Sequence, residues 1–367
     1  MHRLQFHYTL SRDSSPALIR NPLIDLLQAV AQSGSISGAS RSLGLSYRHV
    51  WGELKRWQDV LGHELIVWEK GQSARLTEFG TKLMWAERQA QARLAPQIEA
   101  LRAELERTFA VAFDDSAHVV TMYASHDDAV SALREHALQQ FGSPLHLDVR
   151  FTGSVDAIRA LNEGRCVMAG FHTLQDAGRN TLAERTYKPL LQPGLHKIIG
   201  FAQRTQGLMV ARGNPLSLGS LADVAARQAR FANRPLGSGT RVVLDDLLAQ
   251  AKLKPGSIRG YDHSEPSHAA LAQAIAAGQA DCGLGIAAAA HKLGLAFVPL
   301  AQEHYHLVCL KSALSQPGIV ALQQLLQTPE WQQRAASIEG YTPARSGEVL
   351  SMRRVLPWWD FARGKRR

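Results

Sequence analysis

The sequence predicts an α+β protein in which a small N-terminal domain, one long helix and a larger α/β domain follow one another. Three observations predict this order. Apolar residues recur at spacings of three and four on both sides of Gly44, the same spacing continues from Leu83 to Leu105, and apolar strands alternate with helical segments after Val119. With 367 residues, 45% hydrophobic and 20% charged, the chain has room for two or three globular domains.

The stretch from Ser35 to Leu61 has the pattern of a helix-turn-helix. Gly44 ends a short helix and Ser46 can cap the next one with its hydroxyl. The apolar stripe of the second helix is Val50, Leu54, Trp57 and Leu61. Its opposite face carries Arg48, His49, Lys55 and Arg56. Such a division suits a helix lying in the major groove of DNA, although an ordinary helical corner with a solvated face has the same pattern.

A small hairpin follows, with strands at Leu65–Trp68 and Ala74–Leu76 and a turn at Lys70–Ser73. Basic residues on it would contact phosphates beside the groove, as a wing does. We therefore expect double-stranded DNA as a partner. The predicted DNA-contacting residues are Ser35, Ser37, Arg41, Ser46, Tyr47, Arg48, His49, Lys55, Lys70 and Arg75.

Thr77 can cap a long helix that reaches about Phe109. Its apolar stripe is Leu83, Ala86, Ala90, Leu94, Ile98, Leu101 and Leu105. A stripe of this length on a helix leaving a small domain predicts a dimerisation seam between Glu78 and Arg107. Pro96 should kink the helix, and two helices meeting end to end there would fit equally well.

From Val119 onward the sequence has the pattern of an α/β domain. The predicted strands are Val119–Tyr123, Leu145–Phe151, Val167–Phe171, Leu190–Ile199, Gly207–Ala211, Arg230–Ala232, Ile258–Tyr261, Cys282–Ile286, Ala296–Pro299 and Tyr305–Cys309. Loops that follow strands carry the polar residues, and Asn233–Arg241 has the glycines and hydroxyls of an anion site at a helix N-terminus. Plain helix capping would explain any one such loop. The predicted ligand-binding residues are Ser125, His126, Thr152, Ser154, Thr173, Ser238, Gly239, Thr240, Arg241, Tyr261 and His268.

Other features exclude classes of function. There is no Rossmann or P-loop glycine pattern and no Gly-x-Ser-x-Gly nucleophile turn, so we predict no catalytic residues and no enzyme. His304 and His306 share a strand face but have no third partner, so we predict no metal site. The three cysteines lack metal spacing, no export signal or membrane-spanning run is present, and a cytoplasmic location is expected. The +9 charge lies mainly at the two ends.

The N-terminal region resembles the winged helix-turn-helix domain of LysR-type and molybdate-responsive (ModE-type) bacterial regulators. The matching runs are Leu26–Val30, Gly34–Ile36, Ala39–Gly44, Ser46–Tyr47 and Leu76–Gly80, within residues 18 to 108. The run Ser46–Trp51 looks closer to the ModE-type recognition helix than to the usual LysR one.

Residues 117 to 350 resemble a two-lobed (type II) periplasmic-binding-protein-like effector domain. The runs Gly207–Ala211, Asn214–Pro215, Phe231–Thr240, Arg259–Tyr261 and Ala280–Gly285 look like the subfamily found beside molybdate-type helix-turn-helix domains and molybdopterin-biosynthesis proteins. The resemblance implies a cytoplasmic, homodimeric or higher-order transcriptional regulator that needs no cofactor and senses molybdate, tungstate, a molybdopterin-type cofactor or another small anion. The β-barrel domains of ModE-type regulators are missing, so their mode of sensing does not carry over.

Two alternatives remain at this stage. One is an enzyme or accessory protein of molybdenum-cofactor assembly with an appended DNA-binding domain. The other, a solute-binding protein for uptake, conflicts with the helix-turn-helix. The expected domains are 18–76 (winged helix-turn-helix), 77–113 (linker and dimerisation helix), 114–350 (effector domain) and 351–367, a basic tail with Trp358 and Trp359 that either is flexible or contacts DNA or another subunit.

Overall fold

The helices of the N-terminal unit follow the predicted order in a computed structural model, which describes residues 22–67, 74–113, 118–139, 145–176 and 178–359. Its elements are α1 (Pro22–Ser33), α2 (Ile36–Leu43), α3 (Tyr47–Leu61), β1 (Ile66–Val67), β2 (Arg75–Leu76) and the first part of α4 (Glu78–Phe113). Leu27, Val30, Ala39, Val50 and Leu54 form its core, which is nearly inaccessible to water. Trp57 and Leu61 pack against that core, so the predicted apolar stripe of α3 is confirmed.

The turn between α2 and α3 is built as the sequence predicts. Gly44 has φ +64°, the left-handed conformation in which glycine is favoured, and it ends α2. The Ser46 hydroxyl accepts a hydrogen bond from the His49 amide at 3.2 Å and caps α3. Ser35 caps α2 in the same way, through the Gly38 amide at 2.9 Å.

The hairpin after α3 is an antiparallel pair in which Ile66 lies opposite Leu76 and Val67 opposite Arg75. The predicted turn, Lys70–Ser73, and the predicted strand residue Trp68 lie in the stretch 68–73, which is outside the described residues. Thr77 caps α4 as predicted, because its hydroxyl accepts a hydrogen bond from the Gly80 amide at 2.9 Å.

Helix α4 runs through Pro96 as a single helix, so the hypothesis of two helices meeting end to end is wrong. Proline cannot donate to the carbonyl four residues earlier. That carbonyl, Ala92 O, instead accepts a hydrogen bond from Ser267 Oγ at 3.4 Å. The described chain divides into two units between Gln91 and Ala92, inside this helix, whereas we expected the helix to stand alone as residues 77–113.

The second unit contains one mixed sheet of nine strands with helices on it. The strands are β3 (His118–Ala124), β4 (Leu145–Phe151), β5 (Met168–Leu174), β6 (His196–Val210), β7 (Phe231–Ala232), β8 (Cys282–Ile286), β9 (Ala296–Leu310), β10 (Tyr341–Pro343) and β11 (Val349–Leu350). The helices are α5 (Asp128–Gln139), α6 (Ser154–Asn162), α7 (Leu182–Tyr187), α8 (Leu221–Ala226), α9 (Gly239–Gln250), α10 (His268–Ala276), α11 (Ala287–His291), α12 (Pro317–Gln327), α13 (Pro329–Ala336) and α14 (Met352–Val355), with 3-10 turns at Pro255–Ser257 and Lys311–Ser315.

The strand order β4-β3-β5-β9-β6-β8-β7 gives the two lobes that the resemblance implies. The first lobe is built on β3, β4 and β5, the second on β7 and β8, and the 15-residue strands β6 and β9 belong to both. We predicted each of these long strands as two short ones. Polar residues interrupt the apolar pattern where the strands pass between the lobes, and Arg204, Gln206 and Glu303 lie there.

Two further segments differ from expectation. Ile258–Tyr261 is not a strand, because Gly260 has φ +89° and the chain turns there. The Arg259 carbonyl still accepts a hydrogen bond from the Phe231 amide at 2.8 Å. Trp358 was expected in the tail, but it is buried with Leu356 and Met352 in the first-lobe core beside Tyr187. The alternative of a flexible tail therefore does not hold as far as Trp359, and residues 360–367 lie outside the described range.

Candidate functional site

The outer face of α3 carries the residues expected to contact DNA. Tyr47, Arg48, His49 and Lys55 are exposed there, as are Ser37 and Arg41 on α2 and Arg75 on β2. The Ser35 and Ser46 hydroxyls each accept one capping hydrogen bond, and neither donates to an acceptor among the described residues, so each could donate to a phosphate. This surface fits a major groove flanked by phosphates.

Trp51 was missed by the sequence analysis. It is 41% exposed, one helical turn after Tyr47 at 45%, and Lys55 Nζ lies 5.2 Å from its ring centroid. The signal was available, because Trp51 does not belong to the buried stripe of α3. An exposed aromatic side chain held among basic residues can contact a thymine methyl group or the sugar-phosphate backbone.

In the second unit, the predicted loops from both lobes meet. Ser125 Oγ lies 3.3 Å from Ser154 Oγ. A Cβ atom on Gly153 of the first lobe would come within 2.7 Å of Gly237 O of the second lobe, and one on Gly239 would overlap the His172 ring. Only glycine lets the two sides approach this closely, so the loops form a closed crevice between the lobes.

Thr240 and His268 lie on the second-lobe side of that crevice. Thr240 Oγ1 is 3.4 Å from both His268 Nε2 and Gln206 Nε2. Helices α6, α9 and α10 begin at Ser154, Gly239 and His268, so three helix N-termini border the crevice. Backbone N–H groups at such ends favour negative charge.

Six buried ionisable residues line the crevice, and only His268 among them is a predicted ligand-binding residue. We call them the central cluster: Asp127, His172, Arg204, Arg234, His268 and Glu303.

Arg204 holds the acidic part of the cluster together. Its guanidinium donates hydrogen bonds to Glu303 Oε1 and Asp127 Oδ2, and also to Tyr341 Oη at 3.2 Å. Burial works to lower the pKa of Arg204, but Glu303, Tyr341 and Asp127 raise it well above its ordinary value. Asp127 also caps α5, because its Oδ1 accepts from the Ala129 amide at 2.8 Å.

Arg234 makes fewer side-chain hydrogen bonds than Arg204, the other arginine of the cluster. Its NH2 donates to Pro266 O at 3.0 Å, whereas Nε and NH1 are buried and have no hydrogen-bond partner among the described residues. Burial and the neighbouring charge of Arg204 lower its pKa to about 10, so it remains a cation at neutral pH. A buried cation with two unpaired donors is suited to an anion.

The two histidines of the cluster are neutral donors. Burial and the charges of Arg204 and Arg234 lower the pKa of both His172 and His268 well below the ordinary value. Both nitrogens of His172, and Nδ1 of His268, have no hydrogen-bond partner among the described residues. Burial raises the pKa of Glu303, whose Oε2 also has no such partner.

Four predicted ligand-binding residues point elsewhere. Arg241 stacks on Tyr261, with Cζ 3.8 Å from the ring centroid, and donates to Arg234 O at 3.3 Å. The Tyr261 hydroxyl donates to Asp245 at 2.6 Å, so these two residues brace the loop from outside. His126 lies against Phe151 and near Glu99 of α4, at 3.6 Å. The hydroxyl of Thr173 is 3.0 Å from His306 Nε2.

The other predicted residues have supporting positions. Ser238 caps α9 by accepting a hydrogen bond from the Arg241 amide at 3.2 Å. Thr152 is half-buried after β4, and its amide donates to Ala124 O at 2.8 Å. His304 and His306 stack at 5.4 Å, and within the described ranges no three His, Cys, Asp or Glu side chains are grouped to hold a metal ion.

Comparison with known proteins gives two family matches. A model described as PBP superfamily domain matches residues 135–327, and one described as bacterial regulatory helix-turn-helix protein, lysR family, matches residues 23–81. Among the described residues, no helix is long and apolar enough to cross a membrane.

Two curated relatives and one solved structure illustrate the similarity. Protein YvgK of Bacillus subtilis strain 168, described as uncharacterized, is 30% identical over 223 residues, which cover 61% of this chain and 70% of that protein. A protein from the 5′ region of a ferredoxin gene of Clostridium pasteurianum is 28% identical over 115 residues, 30% of this chain and 98% of that protein. An OxyR mutant of Corynebacterium glutamicum with bound H2O2 is 16% identical, covering 89% of this chain and 96% of that one, with a TM-score of 0.44.

Proposed function

The chain belongs to the PBP superfamily and is a LysR-type transcriptional regulator, and from this premise we propose that it senses a small oxyanion at the central cluster. Regulators of this type bind DNA and effector ligands as oligomers and are not enzymes, which confirms the prediction of a non-enzyme. The proposed regulator acts in the cytoplasm on operator DNA, as a dimer.

Arg234 is the observation that carries the proposal. Its Nε and NH1 have no partner among the described residues, its charge helps to lower the pKa of both His172 and His268, and the Thr240 hydroxyl lies 3.4 Å from His268 Nε2. An oxyanion accepts hydrogen bonds and donates none, so a pocket of donors around one cation matches it.

The acidic residues near the crevice are all paired with cations, although Asp127 and Glu303 share the same one. Asp127 is paired with Arg204, Asp128 with Lys292 at 3.1 Å, and Glu265 with Arg93 at 2.6 Å. Glu303 Oε1 accepts hydrogen bonds from Arg204 and, at 2.9 Å, from Gln206 Nε2. Among the described residues the Arg234 guanidinium donates to none of these carboxylates, so its unpaired donors face the site of the proposed ligand.

The metal class of the ligand is the more specific part of the proposal. It rests on the subfamily resemblance of residues 117 to 350, which points to molybdenum or tungsten metabolism. The close approach of Gly153 to Gly237 favours a compact anion such as molybdate or tungstate over a molybdopterin-type cofactor. Binding would favour the closed lobes and so shift the population of DNA-binding states.

Titration calorimetry on the full-length protein tests the ligand, with molybdate, tungstate, sulfate and a pterin cofactor as probes. We expect the first two to bind, and Ser125→Ala/Thr240→Ala to weaken them because two donors are lost. If none of the four binds, the link to metal metabolism is wrong. If molybdate binds and the double variant binds it equally well, the ligand lies elsewhere.

We expect Arg48→Ala to cost about 1–3 kcal/mol in DNA affinity and to relax sequence preference, since an arginine on this face reaches base edges. Arg75→Ala and Lys55→Ala should weaken all duplexes alike, because they lose only phosphate contacts. Gel shifts on a duplex selected from a random pool, and on its scrambled version, measure both effects.

Lys82→Ala is the control for the DNA experiment. Lys82 is an exposed cation of the same unit, already paired with Glu78 at 2.6 Å on α4, and should change affinity little. An Arg48→Ala protein that still discriminated fully between the two duplexes would remove Arg48 from the base-reading role.

We further expect Leu101→Glu/Leu105→Glu to convert the dimer to a folded monomer. Leu101 and Leu105 lie one turn apart on α4 and are 56% and 38% exposed, so charges there leave the monomer intact but would be buried unpaired in a seam. Sedimentation measures the mass, and Val320→Glu, at another exposed apolar position, is the matched control. An unchanged dimer would place the seam outside α4.

A further inference from the structure

The part of α4 beyond Ala92 is attached to both lobes by ion pairs. Towards the first lobe, Arg107 Nε lies 3.2 Å from Asp148 Oδ2 and Glu99 accepts a hydrogen bond from the Ser131 hydroxyl at 3.0 Å. Towards the second lobe the attachment is Arg93 to Glu265. This part of α4 therefore contacts residues of both lobes.

The pair formed by Arg93 and Glu265 is bidentate. Arg93 donates from Nε to Oε2 at 2.9 Å and from NH2 to Oε1 at 2.6 Å. The hydrogen bond with Glu265 raises the pKa of Arg93. Arg93 is 47% exposed, whereas Glu265 is fully buried, so removing the arginine would leave a buried carboxylate without its hydrogen-bonded cation.

A second contact lies beside this pair. Pro96 deprives Ala92 O of its helical donor, and Ser267 Oγ supplies one at 3.4 Å while also capping α10 through the Ala270 amide at 3.0 Å. The carbonyl that Pro96 leaves without a helical donor thus binds Ser267, the N-cap residue of α10. Both contacts fall on one short segment, residues 264–268.

Segment 264–268 also contacts the central cluster. Its Glu265 amide donates to Asn233 O at 2.8 Å, and its Pro266 carbonyl accepts, at 3.0 Å, the one hydrogen bond that the Arg234 side chain donates within the described residues. His268 closes the segment and places its ring against Thr240. Segment 264–268 therefore has α4 on one side and the central cluster on the other.

We propose that Arg93 is a positioning residue of the effector site: from α4 it holds segment 264–268, and through it Arg234 and His268, in the geometry that receives the anion. Occupancy of the site and attachment of α4 to the second lobe are then coupled, and each stabilises the other. The inference rests on the proposed function for the location of the ligand, but the contacts it invokes do not depend on the ligand's identity.

Hydrogen–deuterium exchange of the full-length protein, without added ligand, tests this directly. In Arg93→Met we expect the amides of 264–270 and 233–241 to exchange at least about tenfold faster than in the wild type. Arg107→Met is the matched control, since Arg107 is 37% exposed and also faces a buried carboxylate. It should loosen 145–151 and leave 264–270 unchanged. Equal exchange of 264–270 in the wild type and Arg93→Met would overturn the proposal.

A second variant separates positioning from the burial of an unpaired charge. Glu265→Gln removes the charge that needs a cation, and Arg93→Met in that background should still exchange fast at 233–241, because no donor from Arg93 holds residue 265. Slow exchange in this double variant would show that an unpaired carboxylate alone causes the effect, and would overturn the proposal. The Kd for the selected duplex, measured by gel shift, should also change at least about fivefold in Arg93→Met and not in Arg107→Met. If the wild type binds no duplex, the proposed function fails, while the exchange result still decides the role of Arg93.

Discussion

Arg234→Met is expected to abolish binding of the anion while leaving the protein at least as stable as the wild type. The side chain is buried with one hydrogen bond, to Pro266 O, and with two donors unpaired among the described residues. Methionine removes a desolvated charge, which relieves an unfavourable term in the free energy of folding. Loss of the charged partner from a buried contact with an anion costs about 2–5 kcal/mol, or roughly 30-fold to several thousand-fold in Kd.

Two variants control this experiment, with molybdate as the calorimetric probe and thermal melting as the stability measurement. Arg234→Lys keeps the charge but not the planar fork and should bind with intermediate affinity. Arg241→Met removes a nearby arginine whose donors are used on Arg234 O and Tyr261 O, so it should lower stability instead. A melting temperature that falls as far in Arg234→Met as in Arg241→Met would show that Arg234 is a structural residue.

Arg204→Met should have the largest effect on stability. Arg204 is the common cation of Asp127 and Glu303 and also bonds Tyr341, all of them buried. Removing it leaves two carboxylates in the interior without their partner, at a cost of about 3–5 kcal/mol. For a unit of this size the melting temperature should fall by roughly 6–20 °C.

Arg230→Met is the matched control, because Arg230 also pairs with a carboxylate, Asp281 at 2.6 Å, but is exposed. It should cost no more than about 1 kcal/mol. Asp127→Asn in the Arg204→Met background should restore part of the loss by removing one unpaired charge. Equal melting temperatures for Arg204→Met and Arg230→Met would contradict the account of the central cluster.

Local chemistry explains what the sequence could predict. Caps and turns depend on residues within four positions of one another, so Gly44, Ser46 and Thr77 can be identified from spacing alone. Strands with alternating apolar residues also stand out, and Leu145–Phe151 and Cys282–Ile286 have the predicted bounds. The long strands β6 and β9 were split because their polar residues face a crevice that only the folded sheet creates.

The central cluster could not be predicted because its members come from distant parts of the chain. Arg204 and Glu303 are 99 residues apart, and an arginine within a strand gives no local sign that it will be buried. Arg234 lies inside the recognised Asn233–Arg241 loop, yet Arg241 was chosen in its place. Only tertiary contacts distinguish the two arginines. Arg241 stacks on Tyr261 and pairs with Asp245, whereas Arg234 faces the crevice.

Native mass spectrometry of the protein purified from its own host tests the central claim most directly, namely that an anion binds at Arg234. We predict that the wild type carries one small anion per subunit, whose mass identifies it, and that Arg234→Met purified in parallel lacks it. The same bound mass at equal occupancy in the variant would contradict the claim.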